Sequence, residues 1–269
     1  MARWRSPDVG GLRRFLVTAV YSFRATFQWL TPSASIATKV FFPVLQMAFF
    51  ALIGGFGGSQ PFSYYVLGNA MLVGYRPMYP IATGIDNERR LGMLPYLIAA
   101  PASQASTFFG RGLVHYLDGL TSIVLAFVIA VVVFGLDLSE ANFVGLLAAM
   151  CVATYGAAAM GLALGPAAYV LLDASFLANL ALFALILLSG ANIPLAELPG
   201  PLLVVSAVLP MTRSIEAARA FSAGAPWDAS ASLLLLTDVA LGVVWAFAGL
   251  LILAWIERVA IERGTLEGV

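Results

Sequence analysis

Cysteine, histidine and lysine each occur once in these 269 residues, and charge of either sign is scarce. Each scarcity excludes something. With Cys151 as the sole thiol, no internal disulfide and no thiolate metal cage can form. With His115 as the sole imidazole, a zinc centre that needs at least three protein ligands has too few donors, so no metal site is expected. No nucleophile stands beside His115 to make a triad, so no catalytic residue is assigned. Lys39 follows Ala37 and Thr38 rather than a glycine-rich loop, so the chain has no P-loop and cannot hold a nucleotide that way. No cofactor is expected on this chain. Only 10% of residues are charged, against roughly 25% in a soluble domain. A fold of this size could not cover a water-facing surface with so few polar groups. Formal net charge is zero, which argues against nucleic acid as a partner.

Apolar side chains are abundant. They make up 61% of the chain, and mean hydropathy is +0.93. Lipid must solvate much of such a protein, and an all-α integral membrane fold follows, in one domain over residues 1–269. A spanning helix needs about 20 mostly apolar residues. The runs predict six transmembrane helices, near 36–56, 62–84, 112–135, 143–165, 174–193 and 231–256, a bundle over 36–256. Gly165, Pro166 and Asp173 divide the fourth span from the fifth, because proline breaks the helical ladder and aspartate prefers the interface. The first residues do not read as a cleavable signal, since Arg3, Trp4 and Arg5 lead into Pro7 and a basic stretch.

Arginine placement sets the expected orientation. Arg3, Arg5, Arg13, Arg14, Arg24 and Lys39 precede or open the first span, Arg89 and Arg90 follow the second, and Arg258 and Arg263 follow the last. Both termini are therefore expected in the cytoplasm. Gly54 to Pro61 and Leu136 to Asn142 carry no basic residue and are expected outside. The fifth connection, with Arg213 and Arg219, is the exception.

Three further elements are predicted. Residues 10–31 form an amphipathic helix lying in the membrane interface. Leu12, Phe15, Leu16, Ala19, Val20, Phe23, Phe27 and Leu30 fall within an arc of roughly 140° at helical spacing, opposite Arg13, Arg14 and Arg24. The other reading is half of a crossing helix, which would bury costly arginines. After the second span, Asp86 or Asn87 can cap a short cytoplasmic helix with Glu88 in its first turn. Leu91, Leu94 and Ile98 recur on one face, and Pro101 ends the segment. The fifth connection is apolar but interrupted by Pro194 and Pro199. Its stretch Leu202 to Val208 is too short to span, so it reads as a re-entrant or interfacial hairpin.

Arg76, His115, Asp118 and Asp238 are the candidate functional polar residues at membrane depth. Such groups are costly there and face protein or a wet cavity. Arg76 is expected to pair with Asp118 or Asp238, as a structural ion pair or on a substrate pathway. His115 and Asp118, three apart, share a helix face. Pro77 and Pro80 predict a kink in the second span. Ala157, Gly161 and Gly165 form a row of small residues suited to close helix packing. Trp245 and Trp255 read as lipid-facing anchors.

Two local sequences, in this order among the spans, carry a family resemblance. The first is IDNERRLGMLPYLIAAPAS over residues 85–103. The second is LSGANIPLAELPG over 188–200, followed by LPMTRSIEAAR over 209–219. The set resembles the permease subunit of ABC-2 type exporters, a group that moves drugs, antibiotics, polysaccharides and lipids. The resemblance covers nearly the whole chain, although Met93, Leu94 and Pro95 stand where the family more often has Thr, Leu and Glu. It implies a bacterial cytoplasmic-membrane protein, two permease subunits as homodimer or heterodimer, and a separate ATP-binding cassette ATPase that binds ATP and Mg. Asn87, Glu88, Arg89, Arg90, Leu91 and Leu94 would form the coupling helix on that ATPase. Pro194, Glu197, Pro199 and Pro210 would mark an outer hairpin over the pathway. The implied cargo is an amphipathic, drug-like or lipid-like molecule moved outward. The competing function is an ion-coupled secondary transporter using the intramembrane charges, which usually shows internal repeats. A membrane-embedded enzyme would need clustered catalytic groups, and a scaffold would not need the coupling helix.

Overall fold

A computed structural model describes residues 34, 36–57, 59–90, 104–171 and 173–263. The expected interfacial helix at 10–31 lies outside the described residues. So does the part of the connection after the second span that holds Leu91, Leu94 and Pro101. Among the described residues the fold is entirely helical.

The first helix, α1 (Phe42–Gly57), continues a π-helical turn at Ala37–Phe41. The second crossing is split. Helix α2 (Phe62–Leu72) tightens into a 3₁₀ turn at Val73–Tyr75, and α3 (Met78–Arg90) restarts after Pro77. Proline has no amide to give the ladder, so the expected kink falls there. Helix α3 then runs unbroken to Arg90. The start expected at Asp86 or Asn87 falls inside the last turn of this helix, since no helix breaker intervenes after Pro80, and the rest of the expected cytoplasmic helix lies outside the described residues.

Helix α4 (Gln104–Val132) ends where Gly135 adopts φ +67° and the Leu136 amide returns to the Ala130 carbonyl at 3.0 Å. That is a glycine-based helix stop. Helix α5 (Phe143–Leu171) starts at Asn142, whose side chain accepts from the Gly145 amide at 3.1 Å. It passes through Pro166, so of the division predicted over Gly165, Pro166 and Asp173 only the Asp173 end holds. That carboxylate caps α6 (Ala174–Leu188) by accepting from Phe176 N at 2.8 Å. A 3₁₀ turn at Leu195–Glu197 leads to α7 (Gly200–Val208) and α8 (Thr212–Ser222), which meet at 88°. Helix α9 (Ala229–Arg263) closes the chain, with Asp228 accepting from Ala231 N at 2.8 Å at its start.

Among the described residues, four helical stretches are long and apolar enough to cross a membrane: Ala37–Gly57, Gly112–Val132, Phe143–Ala168 and Ala229–Ile256. The bent pair α7–α8 makes a fifth if counted as one span. The predicted crossing at 62–84 is helical but broken. The one predicted at 174–193 ends at Leu188 and is 15 residues long.

Helix α5 is the hub. It packs against α9, α3, α8 and α4. Small residues bring the backbones together: a Cβ on Gly161 would lie 2.7 Å from the Met78 carbonyl of α3, and one on Gly249 of α9 would lie 2.5 Å from the Leu162 carbonyl. The row Ala157, Gly161 and Gly165 is therefore an internal packing seam. Exposed apolar side chains cover the outside, among them Leu45, Phe49 and Phe56 on α1 and Leu233, Val244 and Leu251 on α9.

The connections sort to two ends. Ser59, between α1 and α2, donates to Glu197 at 2.8 Å. The Asn142 amide donates to the Phe221 carbonyl at 2.8 Å, and Gly224 sits against Glu140. These contacts gather the α1–α2, α4–α5, α6–α7 and α8–α9 connections at one end. Arg90 and Leu171 lie toward the other.

Candidate functional site

Among the described residues, polar groups that link helices form three clusters. In the first, Lys39 of the π-helical turn forms an ion pair with Asp118 of α4 and donates to Thr121 at 3.3 Å. Arg76, at the break between α2 and α3, donates to the Thr38 carbonyl at 2.7 Å. The first crossing is thereby fastened to the second and third. The pairing of Arg76 with Asp118 or Asp238 is not formed among the described residues. Asp118 takes the nearer cation, and Arg76 satisfies a carbonyl of the π turn instead. His115 is buried one turn away.

The second cluster lies at the bend between α7 and α8. Pro210 seats on Gly156, where an added Cβ would come within 2.8 Å. Met211 follows, buried, at φ +74°. A left-handed backbone at a residue with a side chain costs about 1–3 kcal/mol and persists only where its surroundings force it. Here that force comes from Asp238 of α9, wholly buried, which accepts from Ser214 N at 2.8 Å and Ser214 Oγ at 2.7 Å. Arg213 NH1 stands 3.5 Å from its other oxygen, and Arg213 NH2 donates to the Ala207 carbonyl at 2.9 Å. The carboxylate thus meets the free amide at the N-terminus of α8, as the partial charge there favours. Trp245 donates to the Val208 carbonyl at 3.0 Å and is partly buried. It holds the bend rather than facing lipid as expected. Trp255 is exposed.

The third cluster centres on Arg219 of α8. It donates to the carbonyls of Tyr64 and Gly190 at 2.9 Å each and of Ala191 at 3.1 Å. Its guanidinium lies over the Tyr64 ring, 3.3 Å from the centroid, and Tyr64 itself donates to Gly190 at 2.9 Å. Beside it, Asn69 donates to Asn192 at 2.7 Å and accepts from Gln46 at 3.3 Å. Gly68 leaves room for this, since a Cβ there would lie 2.2 Å from the Ala191 carbonyl. Arg213 and Arg219 both make their contacts within the protein.

Pro194 and Pro199 precede the 3₁₀ turn and α7, and Glu197 ties that turn to Ser59. At the opposite end, Asn87 is exposed and residues 87–90 complete α3. Leu91 and Leu94 lie outside the described residues. Outside the spans, two aspartates are held below the usual carboxylate range: Asp137 by the amide of Ser139, and Asp228 by the amide of Ala231 and the hydroxyl of Ser230. Among the described residues no three His, Cys, Asp or Glu side chains gather as a metal site would require.

Sequence reasoning missed the clusters on Lys39 and Arg219. A usable signal existed for the second, because an arginine in a largely apolar connection needs buried acceptors.

Apolar helices around a packed centre, internally paired charges and a bent helix pair fastened at one end define a multi-pass membrane protein. The chain belongs to the ABC-2 type transporter family, whose model matches residues 13–223. That match runs from the basic N-terminal stretch through α8 and leaves α9 beyond it. No curated protein matches the chain.

Proposed function

We propose that this chain is the permease subunit of an ATP-driven exporter in a bacterial cytoplasmic membrane. It crosses six times, through α1, α2–α3, α4, α5, α6 and α9, with both termini in the cytoplasm and α7–α8 as a re-entrant hairpin from outside. A second permease subunit, identical or related, completes the pathway. A separate ATP-binding cassette ATPase binds ATP and Mg, as is typical for the family. The cargo is amphipathic, drug-like or lipid-like, in keeping with the apolar faces of the first, second and fifth crossings.

The observation that carries this reading is α3. It is packed on α5 through Gly161 and Gly165 and continues as one rigid rod to Arg90. A motor that engages Asn87, Glu88, Arg89 and Arg90, with Leu91 and Leu94 beyond, would move the second crossing directly. The intramembrane carboxylates Asp118 and Asp238 already have cationic partners in the protein, which favours an external motor over ion coupling.

The test is co-purification with an ATPase subunit, followed by reconstitution and ATP-dependent transport. Glu88→Ala with Arg89→Ala should leave the bundle folded and abolish stimulation of ATPase activity by the permease. Retained coupling in that double variant would refute the docking assignment. A vesicle orientation assay placing Arg89 outside would refute the topology.

A further inference from the structure

Two prolines on neighbouring crossings interrupt their helices where the helices meet. In the π-helical turn at Ala37–Phe41 the Phe42 amide reaches back to the Ala37 carbonyl. At the same spacing the Thr38 carbonyl would look to residue 43, and Pro43 has no amide to offer it. Arg76 of the second crossing donates to that carbonyl at 2.7 Å. Arg76 itself stands where Pro77 breaks the other ladder. Its amide turns back to the Val73 carbonyl at 3.2 Å, and the ladder of α3 starts beyond it, with Ile81 N donating to the Pro77 carbonyl at 3.3 Å. Pro77 bears on Gly119 of α4, where an added Cβ would come within 2.8 Å of its ring. No side chain of α4 interlocks with the break at that point.

Displacement of α3 therefore has no continuous ladder along which to pass into α2. The outer part of that crossing is locked to α1 instead: a Cβ on Gly54 would lie 2.3 Å from the Tyr65 ring. Displacement does reach Arg76, which is joined to α3 through Pro77. Arg76 holds backbone rather than a side chain, so a shift of its guanidinium is a shift of the main chain at the start of the first crossing. The turn it holds is π-helical, a form that recurs at functional sites inside helices. Lys39 ties the same turn to Asp118 of α4, and the flexible stem of a lysine lets that contact follow a moving turn. The Arg76 Nε–H is buried and meets no acceptor among the described residues. A purely static fastening would leave no buried donor unpaired.

We propose that Arg76 is a positioning residue for transport, carrying the displacement of α3 to the first crossing through the Thr38 carbonyl. This rests on α3 being the element that the motor moves.

The experiment uses the full chain bound to its ATPase subunit in lipid nanodiscs. One spin label sits on Cys151 of α5, which is exposed and is the sole thiol. The other sits on Gly84→Cys of α3, half-buried, or on Ile36→Cys at the start of the first crossing, exposed. Pulsed electron resonance measures each distance without nucleotide and with a non-hydrolysable ATP analogue. Both distances should shift when the motor closes. In Arg76→Gln the Gly84 shift should remain and the Ile36 shift should fall to less than half. Arg76→Lys can still donate to one carbonyl and should recover part of it. Pro43→Ala leaves Arg76 in place but gives the Thr38 carbonyl a backbone amide, so it should act like Arg76→Gln, and it serves if that variant fails to fold. A merely structural role predicts that Pro43→Ala, which repairs the ladder, leaves the Ile36 shift unchanged, and that result would overturn the proposal. So would an undiminished Ile36 shift in Arg76→Gln. A Gly84 distance that never shifts with Arg76 and Pro43 intact would instead refute α3 as the driven element, and the proposal with it.

Discussion

Replacing Arg219 by alanine should loosen the bent helix pair from the second crossing. The side chain makes three hydrogen bonds to carbonyls drawn from α2 and the α6–α7 connection, and it stacks on Tyr64. Hydrogen bonds to a charged donor are worth about 1.5–3 kcal/mol each, and a shielded cation–π contact about 2 kcal/mol. Bonds that share one side chain do not add, so the expected loss is about 3–5 kcal/mol rather than the sum. For a chain of this size that is a fall in melting temperature on the order of 10 °C. Arg219→Lys should recover less than half of it, because an ammonium cannot fork between the carbonyls and lie flat on the ring. The assay is a thermal melt of the purified protein in lipid nanodiscs, with Tyr64→Leu and the double variant completing a cycle. A strong coupling between the two sites is expected. If Arg219→Ala melted with the wild type, or if the two substitutions were simply additive, the clamp would have no energetic substance.

Two more outcomes follow from the structure. Gly161→Ala should destabilise by about 1–3 kcal/mol, because its new methyl meets the Met78 backbone at 2.7 Å. Gly165→Ala should cost clearly less, since its nearest neighbour lies at 3.3 Å, and denaturation midpoints of the two variants compared side by side decide the matter. At the start of α9, the folded state holds Asp228 below the ordinary carboxylate value through Ala231 and Ser230. Its contribution is therefore complete above the unfolded value of about 3.9 and is lost as pH falls through the lower, folded-state value. Melting curves of wild type and Asp228→Ala should differ at neutral pH and converge only at the acid end.

The helical membrane fold was legible because its causes are local. A run of apolar residues long enough to cross lipid must be a helix whatever surrounds it. The prolines at 194, 199 and 210 marked the bent pair for a similar reason, since each removes a backbone donor from the ladder. The charge partners were not legible. Lys39 and Asp118 are 79 residues apart, and which cation reaches a carboxylate within the spans depends on helix rotation and depth, which hydropathy does not encode. Lys39 therefore looked like a loop charge, and Arg76 looked like the obvious counter-ion. Pro166 misled in the opposite direction. Proline is tolerated inside membrane helices where neighbours satisfy the freed carbonyl, so α5 continues past it to Leu171. Trp245 read as a lipid anchor because its neighbours are apolar, yet its indole donates to the Val208 carbonyl at the end of α7.

The ion pair that fastens the first crossing has a practical corollary. It engages the chain's single lysine, so reagents that seek primary amines meet a side chain already clasped by a carboxylate. Ester-activated dyes and amine cross-linkers would find no second lysine in these 269 residues. A preparation made with them would be almost blind to this protein, while one directed at guanidinium or thiol would see it.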